Sequence, residues 1–375
     1  MMKRVRLALC VIALLCAVTA MAADKKDGDL QLTLPPEFYA VPGLETSIYY
    51  DNIVLTETPE EYRFKIKCDI GTQEERRWTV TPKRKDRGEH ALTVTVASAK
   101  GKTLAKAKTT LHVVRADAGS GRSIRLLIIG DSLTAATVYP KEIGRLLSLP
   151  GNPAWQMLGT NRRGGPESKV GHEGYGGWTW KRFAAHYEPN PDKKARKFSS
   201  PFVFLDKKKV PELDVTQYLK THYGGKRPDY VTFLLGINDC FSAKPDDVTA
   251  IDDRVDAMFK EAETLIAAVQ KAAPKAQLGV CLTPAANARE SGFEANYKGR
   301  YHRWGWKRIQ HRLVQRQLEQ FGNRESDRIY IVPIELNIDP VDGYPVNNGV
   351  HPNAFGYQQI GASIYAWLKW RLQEK

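Results

Sequence analysis

The chain has 375 residues and is 42% hydrophobic, which is ample for a buried core and excludes a disordered tail. Its formal charge of +14 comes from basic residues scattered along the chain, which reads as a solvated basic surface rather than a nucleic-acid face. A milder consequence is attraction to anionic substrates such as acidic glycans. Five cysteines exclude a disulfide framework once the first two are set aside as part of a leader.

Residues 1–22 read as a signal peptide. Lys3, Arg4 and Arg6 form a basic start, Leu7 to Val18 is apolar, and Ala20-Met21-Ala22 offers a cleavage site after Ala22. The apolar run is short for a bilayer, so a secreted or periplasmic protein with no membrane span is expected. Cys10 and Cys16 leave with this segment. Cys240 and Cys281 lie near strand ends, where they either pair or pack as small apolar residues.

Residues 23–118 read as a small all-β sandwich. Thr46–Tyr50, Tyr62–Ile66, Ala91–Val96 and Thr109–Val114 alternate apolar and polar residues at a period near two, with polar or glycine-containing turns between them. No acid, histidine or serine constellation clusters there, so the region is either a packing module or a glycan-binding one. Ala116 to Gly121 reads as a linker.

From residue 122 strands alternate with helices. Strands are expected at Ile124–Ile129, Trp155–Leu158, Tyr230–Leu235, Gln277–Leu282 and Ile329–Val332. Helices are expected at Pro140–Leu147, Asp253–Ala273, Gly305–Phe321 and Ala354–Leu372. This order predicts an α/β domain over residues 122–375, a parallel sheet with helices on both faces. Residues 160–228, with the basic runs Lys193–Lys197 and Lys207–Lys209, and residues 285–304 are insertions too long for simple crossovers.

Four stretches fall where such a sheet gathers reacting groups, beyond its strands' carboxyl ends. Gly130-Asp131-Ser132-Leu133 follows the first strand and can present the Ser132 hydroxyl as a nucleophile. In Gly174-Tyr175-Gly176-Gly177-Trp178, glycines let a backbone N–H approach a substrate oxygen. Gly236-Ile237-Asn238-Asp239 follows the middle strand, and the Asn238 amide can donate to an oxyanion. Asn348-Gly349-Val350-His351-Pro352 precedes the last helix, and His351 can act as general base. Each alone is equally read as a turn, a loop, an Asx turn or a packing histidine.

Together and in this order, the four stretches resemble the SGNH, or GDSL, hydrolase superfamily over residues 122–375. The resemblance implies a flavodoxin-like three-layer α/β/α fold and ester hydrolysis without metal or cofactor. It implies Ser132 as nucleophile, His351 as base, and an oxyanion hole of the Ser132 N–H, the Gly177 N–H and the Asn238 side chain. The family usually carries an aspartate three residues before the histidine. Here that position is Asn348, so Asp342, Asp339 or a backbone carbonyl is expected to hold His351, with Asn348 a lesser contributor.

The eight histidines show no HExxH and no clustered zinc-type spacing, so no metal is expected. Tyr175, Trp178 and Trp180 in the glycine loop, and Tyr297, Tyr301, Trp304 and Trp306 around the second insertion, suggest stacking on sugar rings. Tyr175 and Trp178 are the candidate substrate contacts, and plain packing is the alternative. The expectation is an exported serine esterase acting on O-acetylated carbohydrate or another small ester. The alternatives are a lipolytic or general acyl esterase and a non-catalytic glycan-binding surface protein. Because the four stretches lie beyond the linker, a chain begun near Gly121 is expected to keep small-ester activity.

Overall fold

The structure is a computed structural model that describes residues 30–192 and 197–373. Residues 1–22, expected to be a signal peptide, and residues 193–196 of the first basic run lie outside the described residues.

Alternating segments before residue 118 form strands β1 (Glu37–Ala40), β2 (Thr46–Tyr49), β3 (Arg63–Lys67), β4 (Thr72–Gln73), β5 (Arg77–Val80), β6 (Gly88–Ala97) and β7 (Thr103–Val113). They make one sheet in the order β1-β7-β6-β3 and another in the order β2-β5-β4. Pairing is antiparallel except between β1 and β7. Phe38, Ile48, Trp78, Val94 and Leu111, drawn from both sheets, share one core. β1, β4 and β5, at four residues or fewer, fall outside the strands expected from the period.

The second region carries β8 (Ser123–Gly130), β9 (Ala154–Leu158), β10 (Glu173–Gly174), a separate ribbon of β11 (Val203–Leu205) and β12 (Pro211–Leu213), then β13 (Tyr230–Leu234), β14 (Gln277–Cys281) and β15 (Ile329–Val332). The main sheet runs β10-β8-β13-β14-β15, with β9 also on β8, and all its pairs are parallel. Its helices are α2 (Ser132–Ala135), α3 (Val138–Leu147), α4 (Trp180–Ala185), α5 (Val215–Tyr223), α6 (Ile237–Cys240), α7 (Val248–Ala272), α8 (Glu290–Tyr297), α9 (Arg303–Phe321) and α10 (Ala354–Gln373), after α1 (Tyr50–Ile53) in the first region.

The strand period of two builds the three layers. Leu127 and Ile129 of β8 pack with Val255 and Leu265 of α7 and Leu313 of α9. Leu126 and Ile128 pack with Ile143 of α3 and Ile360 and Ile364 of α10 on the other face. Cys240 and Cys281 are free and buried, so they pack rather than pair. Among the described residues no helix is long and apolar enough to cross a membrane.

The segment expected to be a linker is a packed turn. Ala118 is buried, its carbonyl accepts from the buried Lys369 Nζ at 2.5 Å, and Gly119 lies against Leu372 of α10. The two regions also share a polar seam. Asn52 Nδ2 donates to the carbonyls of Glu335 and Ile338, both at 2.7 Å, and Ser47 N–H donates to Asn337 Oδ1 at 2.8 Å.

Candidate active site

The first strand delivers Ser132 because its last residue is glycine. A Cβ on Gly130 would lie 1.9 Å from Thr134 Oγ1 and 2.9 Å from the Leu234 carbonyl, so only glycine lets α2 fold back this tightly. Asp131 caps α2, its side chain accepting from Leu133 N–H at 3.0 Å. Ser132 thus opens a helical turn at the carboxyl edge of the sheet, half-buried.

His351 reaches it from the loop before α10, with Nε2 3.0 Å from Ser132 Oγ. The other ring nitrogen, Nδ1, lies 3.3 Å from Asn348 Oδ1. That amide atom must be oxygen, because the backbone N–H groups of Val350 (3.1 Å) and His351 (2.9 Å) also point at it. An oxygen there requires hydrogen on Nδ1, which leaves Nε2 as the acceptor facing the serine hydroxyl. Burial pushes the His351 imidazole below its ordinary value, which favours the neutral base.

Asp342 and Asp339 do not hold His351. The Asp339 carboxylate is buried and takes two bonds from Arg76, at 3.2 and 3.3 Å. The exposed Asp342 takes one from Arg76 at 2.8 Å and faces Arg289 at 3.8 Å. Asn348 therefore occupies the orienting position, and the surrogate-acid expectation is corrected: an arginine from the β-region captures both acids.

Asn238, in the turn α6, directs its amide to Asp131 Oδ2 at 3.1 Å and to the Trp178 carbonyl at 3.2 Å. The glycine loop lies against the serine, since a Cβ on Gly176 would sit 4.0 Å from that of Ser132. Gly177 is exposed with φ of +73°, a left-handed conformation that itself calls for glycine.

The model of the GDSL-like Lipase/Acylhydrolase family matches residues 126–364. The chain belongs to this family. As a GDSL-like acylhydrolase it is a carboxylic ester hydrolase. No curated protein matches the chain. Among solved structures, this acylhydrolase is similar to the Clostridium thermocellum family 3 carbohydrate esterase, at 19% identity over 65% of this chain and 94% of that one, TM-score 0.40. It is also similar to a family 3 carbohydrate esterase from Talaromyces cellulolyticus (16% identity, 67% and 99% covered, TM-score 0.39). A third is a carbohydrate acetylesterase family member from Sinorhizobium meliloti (16% identity, 66% and 99% covered, TM-score 0.40).

The aromatic expectation for the glycine loop of this acylhydrolase needs correction. Trp178 is only 2% exposed and packs among Tyr175, Phe183 and Phe198. Trp180 is buried against Phe233. The half-buried Tyr175 spends its hydroxyl on the buried Glu173 at 2.5 Å. These rings form core, because the glycines between them turn the chain inward.

Asn287, just past the end of β14, is buried and clamps the histidine loop. Its Nδ2 donates to the carbonyls of Pro345 (2.9 Å) and Asn348 (3.0 Å), and its N–H to that of Gly349 (2.9 Å). Asn296 of α8 accepts from Gly349 N–H at 2.6 Å. Neither position was singled out in the sequence, although Asn287 follows a strand's carboxyl end like the other site residues. Burial pushes both Asp131 and Asp239 up to about 7, with Asp131 also acting on Asp239 through its charge.

Proposed function

We propose that this acylhydrolase is an exported serine esterase that removes O-acetyl groups from carbohydrate. The observation that carries the catalytic part is the 3.0 Å contact between Ser132 Oγ and a His351 Nε2 whose ring is held as the Nδ1–H tautomer. Ser132 attacks the ester carbonyl while His351 Nε2 takes its proton, and the sugar alcohol leaves with that proton. Water then attacks the acetyl-serine, again giving a proton to His351, and acetate leaves as His351 returns that proton to Ser132 Oγ. The Ser132 and Gly177 N–H groups and the Asn238 amide receive the oxyanion. One such donor is worth about 2.7–4 kcal/mol in a characterised protease. Asp131 fixes the plane of the Asn238 amide, and the oxyanion displaces the neutral Trp178 carbonyl as the second acceptor. The half-buried rings of Tyr297, Tyr301 and Trp304, on the insertion that bonds Gly349, support a sugar substrate. The basic and apolar pattern of residues 1–22 supports export.

An organophosphonate should add one adduct to the protein by intact mass and none to Ser132→Ala. Acetate release from acetylated polysaccharides should vanish in the same variant. Undiminished labelling of Ser132→Ala would reject the nucleophile, and turnover confined to long-chain acyl esters would reject the acetyl substrate.

A further inference from the structure

The seam between the two regions holds a cleft of about 510 Å³, the size of a small-molecule site. One wall comes from the β-region, with Tyr50, Tyr62, Phe64 and three glutamates; the other comes from Ala288, Arg303, Pro340 and Val341. Tyr50 and Phe64 of this lining stack face to face at 4.3 Å and 8°, with Tyr50 buried and Phe64 half-buried. Tyr62 is half-buried, and the structure gives its hydroxyl no hydrogen bond among the described residues.

The charges in this cleft are unequally engaged. Its cations are occupied: Arg76 binds Asp339 and Asp342, and Arg303 donates to the Glu57 carbonyl at 2.7 Å. Asp51 is paired with Lys307. The side chains of Glu57, Glu60 and Glu75 are exposed and make no hydrogen bond among the described residues. A net basic chain therefore presents a locally acidic cleft with aromatic faces.

We propose that this cleft is a binding subsite for the backbone of an uncharged polysaccharide, a reading that rests on the carbohydrate substrate proposed above. Aromatic faces suit the apolar faces of pyranose rings, and free carboxylates accept from sugar hydroxyls. The same carboxylates repel uronate or sulfate groups, so the overall positive charge does not select an acidic glycan here. The cleft is joined to the chemistry by one loop. Pro340 and Val341 stand at its base, the Asp342 carbonyl accepts from Asn353 Nδ2 at 2.8 Å, and His351 lies two residues before Asn353. A chain held in the cleft is thus held against the loop that carries the base.

The test is calorimetric titration of Ser132→Ala with unacetylated hexasaccharides of glucose, xylose, mannose, galacturonate and glucosamine. At least one neutral hexasaccharide should bind, and Tyr62→Ala and Glu75→Gln should each weaken it about tenfold or more. In the active protein the same two changes should raise KM on the acetylated polymer and leave 4-nitrophenyl acetate turnover unchanged. Tighter binding of the galacturonate or glucosamine oligomer, no binding of any neutral one, or affinity unmoved in both variants would overturn the subsite. Binding that persists in a protein unable to turn over 4-nitrophenyl acetate would instead count against the esterase reading alone.

Discussion

In the proposed mechanism, the amide behind His351 decides how the base responds to pH. A carboxylate at that place would stabilise the imidazolium; Asn348 Oδ1 accepts from Nδ1–H but brings no charge. Burial already lowers the His351 pKa. The base must be neutral to take the serine proton, so kcat/KM should fall only at a pH below the ordinary histidine value, and activity should persist in mildly acidic solution. Asn348→Asp places a negative charge beside Nδ1, favours the protonated ring, and should move the acid limb of kcat/KM to higher pH. Asn348→Ala leaves three N–H groups without their acceptor and should lower kcat/KM by about 10- to 100-fold, or about 1.4–2.8 kcal/mol. A pH–rate profile of the two variants checks both. An acid limb that stays put in Asn348→Asp would show that His351 does not feel this position.

At the scale of the element, the short turn Ile334–Leu336 between β15 and the histidine loop carries a buried acid. Both carboxyl oxygens of Glu335 are buried without a hydrogen-bond partner, and burial pushes the group up to about 8. An unfolded glutamate loses its proton near pH 4.3. Between those values the folded chain holds one more proton than the unfolded chain, so stability falls as pH rises through that window. The loss amounts to about 4 kcal/mol at pH 7. Glu335→Gln removes this titration and leaves those of Asp131 and Asp239 in place. Thermal melting from pH 5 to 8 should therefore show a shallower decline of Tm in Glu335→Gln than in the unsubstituted protein. Parallel declines would mean that Glu335 ionises inside the fold at little cost.

At the scale of the whole molecule, the β-region is part of the frame of the site. Leu336 lies in the sandwich core, and Tyr39 and Val41 lie in the core beneath α3 and α10. Without residues 30–120, the carbonyls of Glu335 and Ile338 lose Asn52, and buried Asp339 loses Arg76. A chain begun near Gly121 should accordingly melt well below the full chain or fail to fold, in contrast to what the apparent linker suggests. A truncated chain with the full protein's Tm and unchanged 4-nitrophenyl acetate turnover would overturn this.

What the sequence determined by itself was local. Alternation of Leu126, Leu127, Ile128 and Ile129 between two cores follows from strand geometry, and Gly130 ends that strand because the next turn has no room for a Cβ. The order of serine, glycine, asparagine and histidine after successive strands followed in the same way, since a parallel sheet brings its carboxyl ends to one edge. Tertiary structure alone decided which group stands behind His351. Asp339 and Asp342 are near in sequence, but Arg76, 263 and 266 positions away, draws both toward the β-region. It also decided that Trp178 is core, because spacing places a ring in a loop without saying whether the loop folds inward. Charge pairing across long separations and the packing of a ring against distant helices depend on which surfaces meet, and no local pattern of residues carries that information.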